Sequence, residues 1–236
     1  MTEFDKSYWA KAEFAQGYRE NADNTIVERR RLLEVLKSFY RHFMGAKPEP
    51  NVLDLGCGDG IVTHELLKIN GSISATLIDG SGDMLDKAKE RLKDFGKTRF
   101  TKASFQEILS RGIALQGFDF AVSSLAIHHL SMDEKANLFG KIYAGLNDGG
   151  YFFIIDVILA PTESLEQWYL LLWKEWMGER GIEGDYCDDR IRLYKDRAND
   201  KPDTLDSQLS ALKSVGFKDV DCFYKYGIFA AYGGRK

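Results

Sequence analysis

Between positions 51 and 157 the chain alternates short apolar runs with longer amphipathic stretches. The segments 51–55, 73–79, 98–103, 118–123 and 151–157 read as buried strands. The segments 60–69, 82–95, 104–111 and 132–146 carry apolar residues three and four apart and read as helices. Strands separated by crossover helices predict a parallel sheet covered on both faces. Upstream, 8–43 is helical in pattern, with Ile26, Leu32, Leu33, Leu36, Phe39, Tyr40 and Phe43 near a 3.6 period. Pro48 and Pro50 end that stretch, because proline lacks a donor and disfavours helix before itself. After Asp156 the rhythm changes. Residues 160–200 read as amphipathic helix rather than a simple crossover. A helix at 205–215 runs into Gly216, and 217–223 and 228–232 read as two last strands joined near Tyr226-Gly227.

The first strand breaks into glycines: Val52-Leu-Asp-Leu-Gly-Cys-Gly-Asp-Gly60. Glycine admits positive φ and lets backbone N–H groups approach a ligand. The helix that follows offers its positive end. The dinucleotide pattern G-x-G-x-x-G fails here: counted from Gly56 its third glycine falls on Ile61, and counted from Gly58 on Thr63. What stands is D-x-G-x-G-x-G, with Asp54 at its head. The next strand ends on Asp79, about twenty residues beyond the glycines, where a carboxylate can hold ribose hydroxyls. Gly80-Ser-Gly-Asp-Met-Leu-Asp-Lys-Ala88 follows it.

These three linked features resemble the class I S-adenosylmethionine-dependent methyltransferases, over about 50–158 and 203–235. The resemblance implies an α/β fold: a Rossmann-like seven-stranded, mostly parallel sheet with a C-terminal antiparallel hairpin, helices on both faces and a helical cap insert. It implies a division into an N-terminal helical lid, 1–45, and a methyltransferase domain, 46–236, with the insert at 160–200. It implies S-adenosylmethionine as cofactor, leaving S-adenosylhomocysteine. The cofactor-binding set it implies is Asp54, Gly56, Gly58, Gly60, Asp79, Gly80, Met84, Ser104, Phe105, Ser123 and Leu125. Asp54 caps the glycine turn, contacts the ligand's amino group, or does both. Met84 lies against adenine or packs in the core. Ser104 stands where the family often has an acidic residue, and a hydroxyl accepts more weakly. Ser123, Ser124 and Leu125 end the fourth strand, where the methyl-donor end is expected.

His128 and His129 follow that strand and are the candidate general bases. The alternative is that one or both orient the loop through hydrogen bonds. The amine-gripping N-P-P-Y of amino-methylating members is missing here. In the insert, Tyr169, Trp173 and Trp176 share a helical face. They form either core or, for Trp173 and Trp176, an acceptor pocket to which Tyr18 of the lid also contributes. Arg190 and Arg192 are solvated or hold an anion. The layout is also similar to the carboxy-S-adenosylmethionine synthases, which modify the bound ligand, and that reading requires one of these arginines to turn inward. A non-catalytic ligand-binding module is the third reading.

Composition narrows the partners. The chain has 236 residues, 44% hydrophobic and 29% charged, with net charge −4. That acidity, without a dense Lys/Arg stripe, argues against nucleic acid, and the resemblance implies a small-molecule acceptor. No apolar run approaches bilayer-spanning length, and no secretion signal is visible. Cys57, Cys187 and Cys222 are odd in number and form no C-x-x-C, which argues against disulfides and a metal site and for a reduced cytoplasmic setting. A monomer or homodimer is expected.

Overall fold

A computed structural model describes residues 7–236. It contains a seven-stranded sheet in the order β3-β2-β1-β4-β5-β7-β6. The strands are β1 (Asn51–Leu55), β2 (Ser74–Asp79), β3 (Thr98–Lys102), β4 (Phe118–Ser124), β5 (Leu146–Val157), β6 (Lys218–Tyr226) and β7 (Phe229–Arg235). The first five run parallel, and β7 lies antiparallel to both β5 and β6. The expected sheet and closing hairpin are therefore present. The order reverses between β1 and β4, so a crevice opens beyond their carboxyl ends.

The helices are α1 (Ala12–Thr25), α2 (Arg29–Met44), α3 (Ile61–Ile69), α4 (Gly82–Arg91), α5 (Phe105–Ser110), α6 (Met132–Gly145), α7 (Glu163–Gly178), α8 (Asp185–Lys195) and α9 (Leu205–Val215). Side-chain caps start many of them: Ser81, Ser104, Ser131, Thr162 and Thr204 each accept a first-turn N–H. One face of the sheet carries α2, α3 and α4 together with the cap helices α7 and α8. The other face carries α5, α6 and α9.

Two elements differ from the pattern read in the sequence. The N-terminal helical stretch is broken: Ile26 is extended and Glu28 takes φ 52°, which separates α1 from α2. Leu32, Leu36 and Tyr40 of α2 are fully buried against the sheet, so α2 is part of the main core rather than a lid. Strand β5 also starts earlier, at Leu146. Asn147-Asp-Gly-Gly150 has turn composition and bulges from the pairing with β4, between Leu146 opposite Phe118 and Tyr151 opposite Phe120, while Gly150 O accepts Lys236 N at 2.8 Å.

Candidate functional site

The glycine turn is fixed by main-chain bonds. Gly56 N and Cys57 N both donate to Ile78 O of β2, at 2.8 and 3.1 Å. Gly56 has φ 64°, and a Cβ there would collide with Ala126 Cβ. Gly58 has φ 54°, and a Cβ there would point into open space. Gly60 does other work. At φ 76° it precedes α3, a Cβ there would press on Ala88 and Leu92 of α4, and it lines neither of the two cavities that meet at this turn. Asp54 is 1% exposed. Its Oδ2 accepts from Thr63 Oγ1 at 2.6 Å, while Oδ1 is buried without a partner. Burial pushes this carboxyl up to about 7, against the opposing Thr63 bond.

Asp79 ends β2 facing the turn. Its Oδ2 accepts Gly58 N and its Oδ1 accepts Ser81 N, both at 2.8 Å. Each oxygen keeps one lone pair for a further donor. Burial raises this carboxyl, and the two backbone bonds counter it. The cap of α4 is Ser81, which accepts Met84 N, so Asp79 is not spent on the helix.

Two cavities, of about 460 and 200 Å³, meet at this turn. They share Gly56, Gly58, Met84, Ser124 and Leu125. The larger takes in Asp79, Gly80, Ser104 and Phe105, the smaller Asp54 and Arg19. Two sequence-named serines behave differently from expectation. Ser104 reaches the larger cavity, but its hydroxyl is engaged in a capping box with Glu107 of α5. Ser123 is turned away from both cavities, donating to Leu55 O at 2.7 Å, because strand alternation puts its neighbour Ser124 on the open side. Leu125 sits at φ 53°, a conformation that bulky residues rarely hold, fixed by its N–H to Ile155 O at 2.8 Å.

Both histidines line the larger cavity. His128 is tied to a buried carboxylate: Nδ1 lies 2.5 Å from Asp156 Oδ1, and its backbone N donates to Asp156 Oδ2 at 2.8 Å. Burial would depress this imidazole, but the charge and hydrogen bond of Asp156, with Asp200 adding, hold it above the usual value. His129 is more open, at 27%. Its Nδ1 lies 3.0 Å from Asp200 Oδ1 and 3.3 Å from Asn199 O. Trp9 Nε1 donates to its Nε2 at 2.9 Å. Burial would raise Asp200, but the bond to His129 and the charges of both histidines hold it down.

The roof comes from distant segments. Trp173 of α7 is buried, lines the larger cavity and donates to Thr25 O at 2.7 Å. Trp176 lines neither cavity; it stacks beneath Arg180 at 3.1 Å and edge-on to Tyr226. The shared helical face thus splits into one cavity residue and one packing residue. Arg190 of α8 lines the larger cavity, with its guanidinium near the rings of Phe14 and Tyr186 and its Nε buried without a partner among the described residues. Arg192 stays outside, paired with Asp189. The side chain of Tyr18 lies outside the described residues. Asp156, Asp200, Arg19 and Trp9 join the site without a motif to announce them. Asp200 sits in a polar loop whose only sequence signal is its charge.

The comparisons agree with this geometry. The methyltransferase domain family matches residues 52–150. The carboxy-S-adenosyl-L-methionine synthase of Nautilia profundicola is 22% identical over 218 residues, covering 91% of this chain and 84% of that protein. An O-methyltransferase family protein from Burkholderia thailandensis shares the fold with TM-score 0.68 and 15% identity, over 98% of this chain. This chain spans 62% of the length of that structure. Phosphoethanolamine N-methyltransferase 2 of Haemonchus contortus, solved with S-adenosyl-L-methionine, aligns with TM-score 0.63 at 19% identity, over 93% of this chain and 45% of its own. The fold and turn are those of the class I S-adenosylmethionine-dependent methyltransferases. Residues 52–150 match the methyltransferase domain family, and the fold is shared with S-adenosylmethionine-dependent methyltransferases.

Proposed function

We propose that the protein transfers a methyl group from S-adenosylmethionine to a small-molecule acceptor held in the larger cavity. The observation that carries this reading is the pair of carboxylates flanking a positive-φ glycine turn where two cavities join. Asp54 offers a partnerless oxygen for the cofactor's ammonium. Arg19 has Met84 Sδ at 3.5 Å and no carboxylate partner among the described residues, which suits the cofactor's carboxylate. Asp79 receives the ribose hydroxyls, and Met84 and Phe105 flank adenine. A space of about 460 Å³ under the cap lies within the range of small-ligand sites, roughly 300–1,000 Å³. That roofed space favours an enzyme over a binding module with an open cleft. Methyl transfer from a sulfonium needs alignment and exclusion of water more than reactive side chains. All three cysteines are free, which suits a reduced, cytoplasmic setting. Among the described residues, no helix is long and apolar enough to cross a membrane.

A second reading has its own observation. Arg190 faces the cavity with an unpartnered nitrogen, as a modifier of the carboxy-S-adenosylmethionine synthase type requires. One experiment separates the two. Mass spectrometry of the ligand carried through purification, followed by labelled methyl donor against a metabolite panel, gives methylated acceptor under the first reading. A carboxylated cofactor and no methylated product establishes the second. Absence of S-adenosylmethionine binding removes both.

A further inference from the structure

The two histidines are wired differently. His128 has Nδ1 on Asp156, and its Nε2 faces Asp200 Oδ1 at 3.9 Å. It lies between carboxylates and is 9% exposed, with Nδ1 already engaged by Asp156. His129 has two acceptors beside Nδ1, the Asp200 carboxylate and the Asn199 carbonyl. Beside Nε2 it has a donor, since an indole N–H cannot accept. These neighbours place the His129 proton on Nδ1 and a lone pair on Nε2. The same logic decides a rival reading. His128, His129 and Asp200 bring potential ligand atoms within 4.8 Å of one another, as a metal site would. A metal on His129 Nδ1 would need that nitrogen bare and the proton on Nε2, facing the Trp9 N–H donor to donor.

We propose that His129 Nε2 takes the acceptor's proton, that Asp200 is the positioning residue holding the required tautomer, and that the Trp9 indole N–H occupies the acceptor's place until the acceptor displaces it. This rests on the methyltransferase reading. In the step, a lone pair of the acceptor heteroatom forms the bond to the methyl carbon. The carbon–sulfur bond breaks with its electron pair on sulfur. The heteroatom's proton passes to Nε2, and the imidazolium stands against Asp200. Trp9 is carried by the short turn before α1, packed edge-on to Phe14 with centroids 5.2 Å apart, so the turn and α1 move together when it leaves.

Long-range proton–nitrogen correlation spectra of histidine-labelled protein read the tautomer directly. The expected result is a protonated Nδ1 on His129 in the wild type and in Trp9→Phe. In the Trp9→Phe/Asp200→Ala double variant, where Asn199 O alone is left beside Nδ1, the Nδ1-protonated fraction falls and Nε2 protonation appears. A proton on Nε2 in the wild type, with or without added Zn²⁺, overturns the proposal. Radiolabel transfer from S-adenosylmethionine to a deproteinised metabolite extract tests the role. His129→Gln should lower the plateau rate about 10²-fold or more. Asp200→Asn should lower it at least about tenfold. Trp9→Phe should lower the extract concentration needed for half-saturation, and an unchanged or higher value overturns the displacement role of Trp9. Equal plateaus for His129→Gln and wild type overturn the base role. Calorimetric titration of the same samples with S-adenosylmethionine reads the parent assignment independently. Binding with the wrong tautomer sinks this inference alone, whereas no binding sinks the methyltransferase reading whatever the tautomer.

Discussion

At the carboxyl ends of β1 and β2 the site is held by main-chain groups: Ile78 O grips the turn, and Gly58 N and Ser81 N orient Asp79. The roof depends instead on single side chains from three separate segments. Trp9 reaches His129, Trp173 is pinned to Thr25 O, and Arg190 rests against Phe14 and Tyr186. A main-chain floor tolerates little change in sequence, because its bonds depend on backbone angles that few residues adopt. A side-chain roof can be rebuilt residue by residue. Under the proposed function the floor holds the cofactor and the roof meets the acceptor.

The sharpest way to break this contrast is at Gly58. Its missing Cβ faces open space, so the Cβ of Gly58→Val meets no protein atom and projects toward the cavities that the proposed function assigns to ligand. The positive φ adds strain of about 1–2 kcal/mol, which the fold can absorb. Cofactor affinity should fall at least about 10²-fold while the circular dichroism melt stays cooperative. Unaltered affinity would mean the ligand does not lie along this turn. Asp79→Ala comes next, with a loss of about 1–3 kcal/mol in cofactor binding by calorimetry, the scale for a lost charged hydrogen bond. Roof variants should leave that number alone.

The same contrast explains what the sequence disclosed. The turn was legible because D-x-G-x-G-x-G is contiguous and a carboxylate, Asp79, closes the next strand. Strand boundaries followed from apolar runs, except that β5 begins at Leu146, ahead of a bulge at residues 147–150 that keeps its turn composition. The break between α1 and α2 was hidden because Ile26, Leu32 and Leu36 all stay buried across it. The roof was mostly illegible. Asp200 meets His129 across a separation of about seventy residues, and nothing local marks either side of that contact. Helical spacing placed Trp173 and Trp176 together, yet a face wide enough for both spans cavity and core.

Asp54 gives a pH test of the floor. Its folded carboxyl, at about 7, lies above its ordinary 3.8, so the folded state binds the proton more tightly. Stability of the ligand-free protein should fall as pH rises through that window and level off above it, by an amount on the order of a few kcal/mol. Asp54→Asn should flatten the curve and raise the melting temperature at pH 8. A bound ammonium reverses the preference. Cofactor affinity should therefore weaken by up to about tenfold per pH unit below 7, with proton release visible as a buffer-dependent calorimetric heat. A flat affinity from pH 5.5 to 7.5 would show that the ammonium lies elsewhere.

The smallest effects separate the two tryptophans of α7. Trp173→Phe keeps an aromatic wall but leaves Thr25 O without its donor, a loss on the order of 1 kcal/mol. Because Thr25 ends α1, the loosening should reach the acceptor side: a higher acceptor half-saturation with cofactor affinity unchanged. Trp176→Ala removes a ring stacked on Arg180 outside both cavities, together with an indole nitrogen buried without a partner. Losing that orphaned donor offsets part of the lost packing. Its melting temperature should drop modestly, with cofactor affinity and acceptor turnover both within about twofold of wild type. A larger turnover defect in Trp176→Ala than in Trp173→Phe would place the acceptor on the outer face of α7, and the roof assigned here would be wrong.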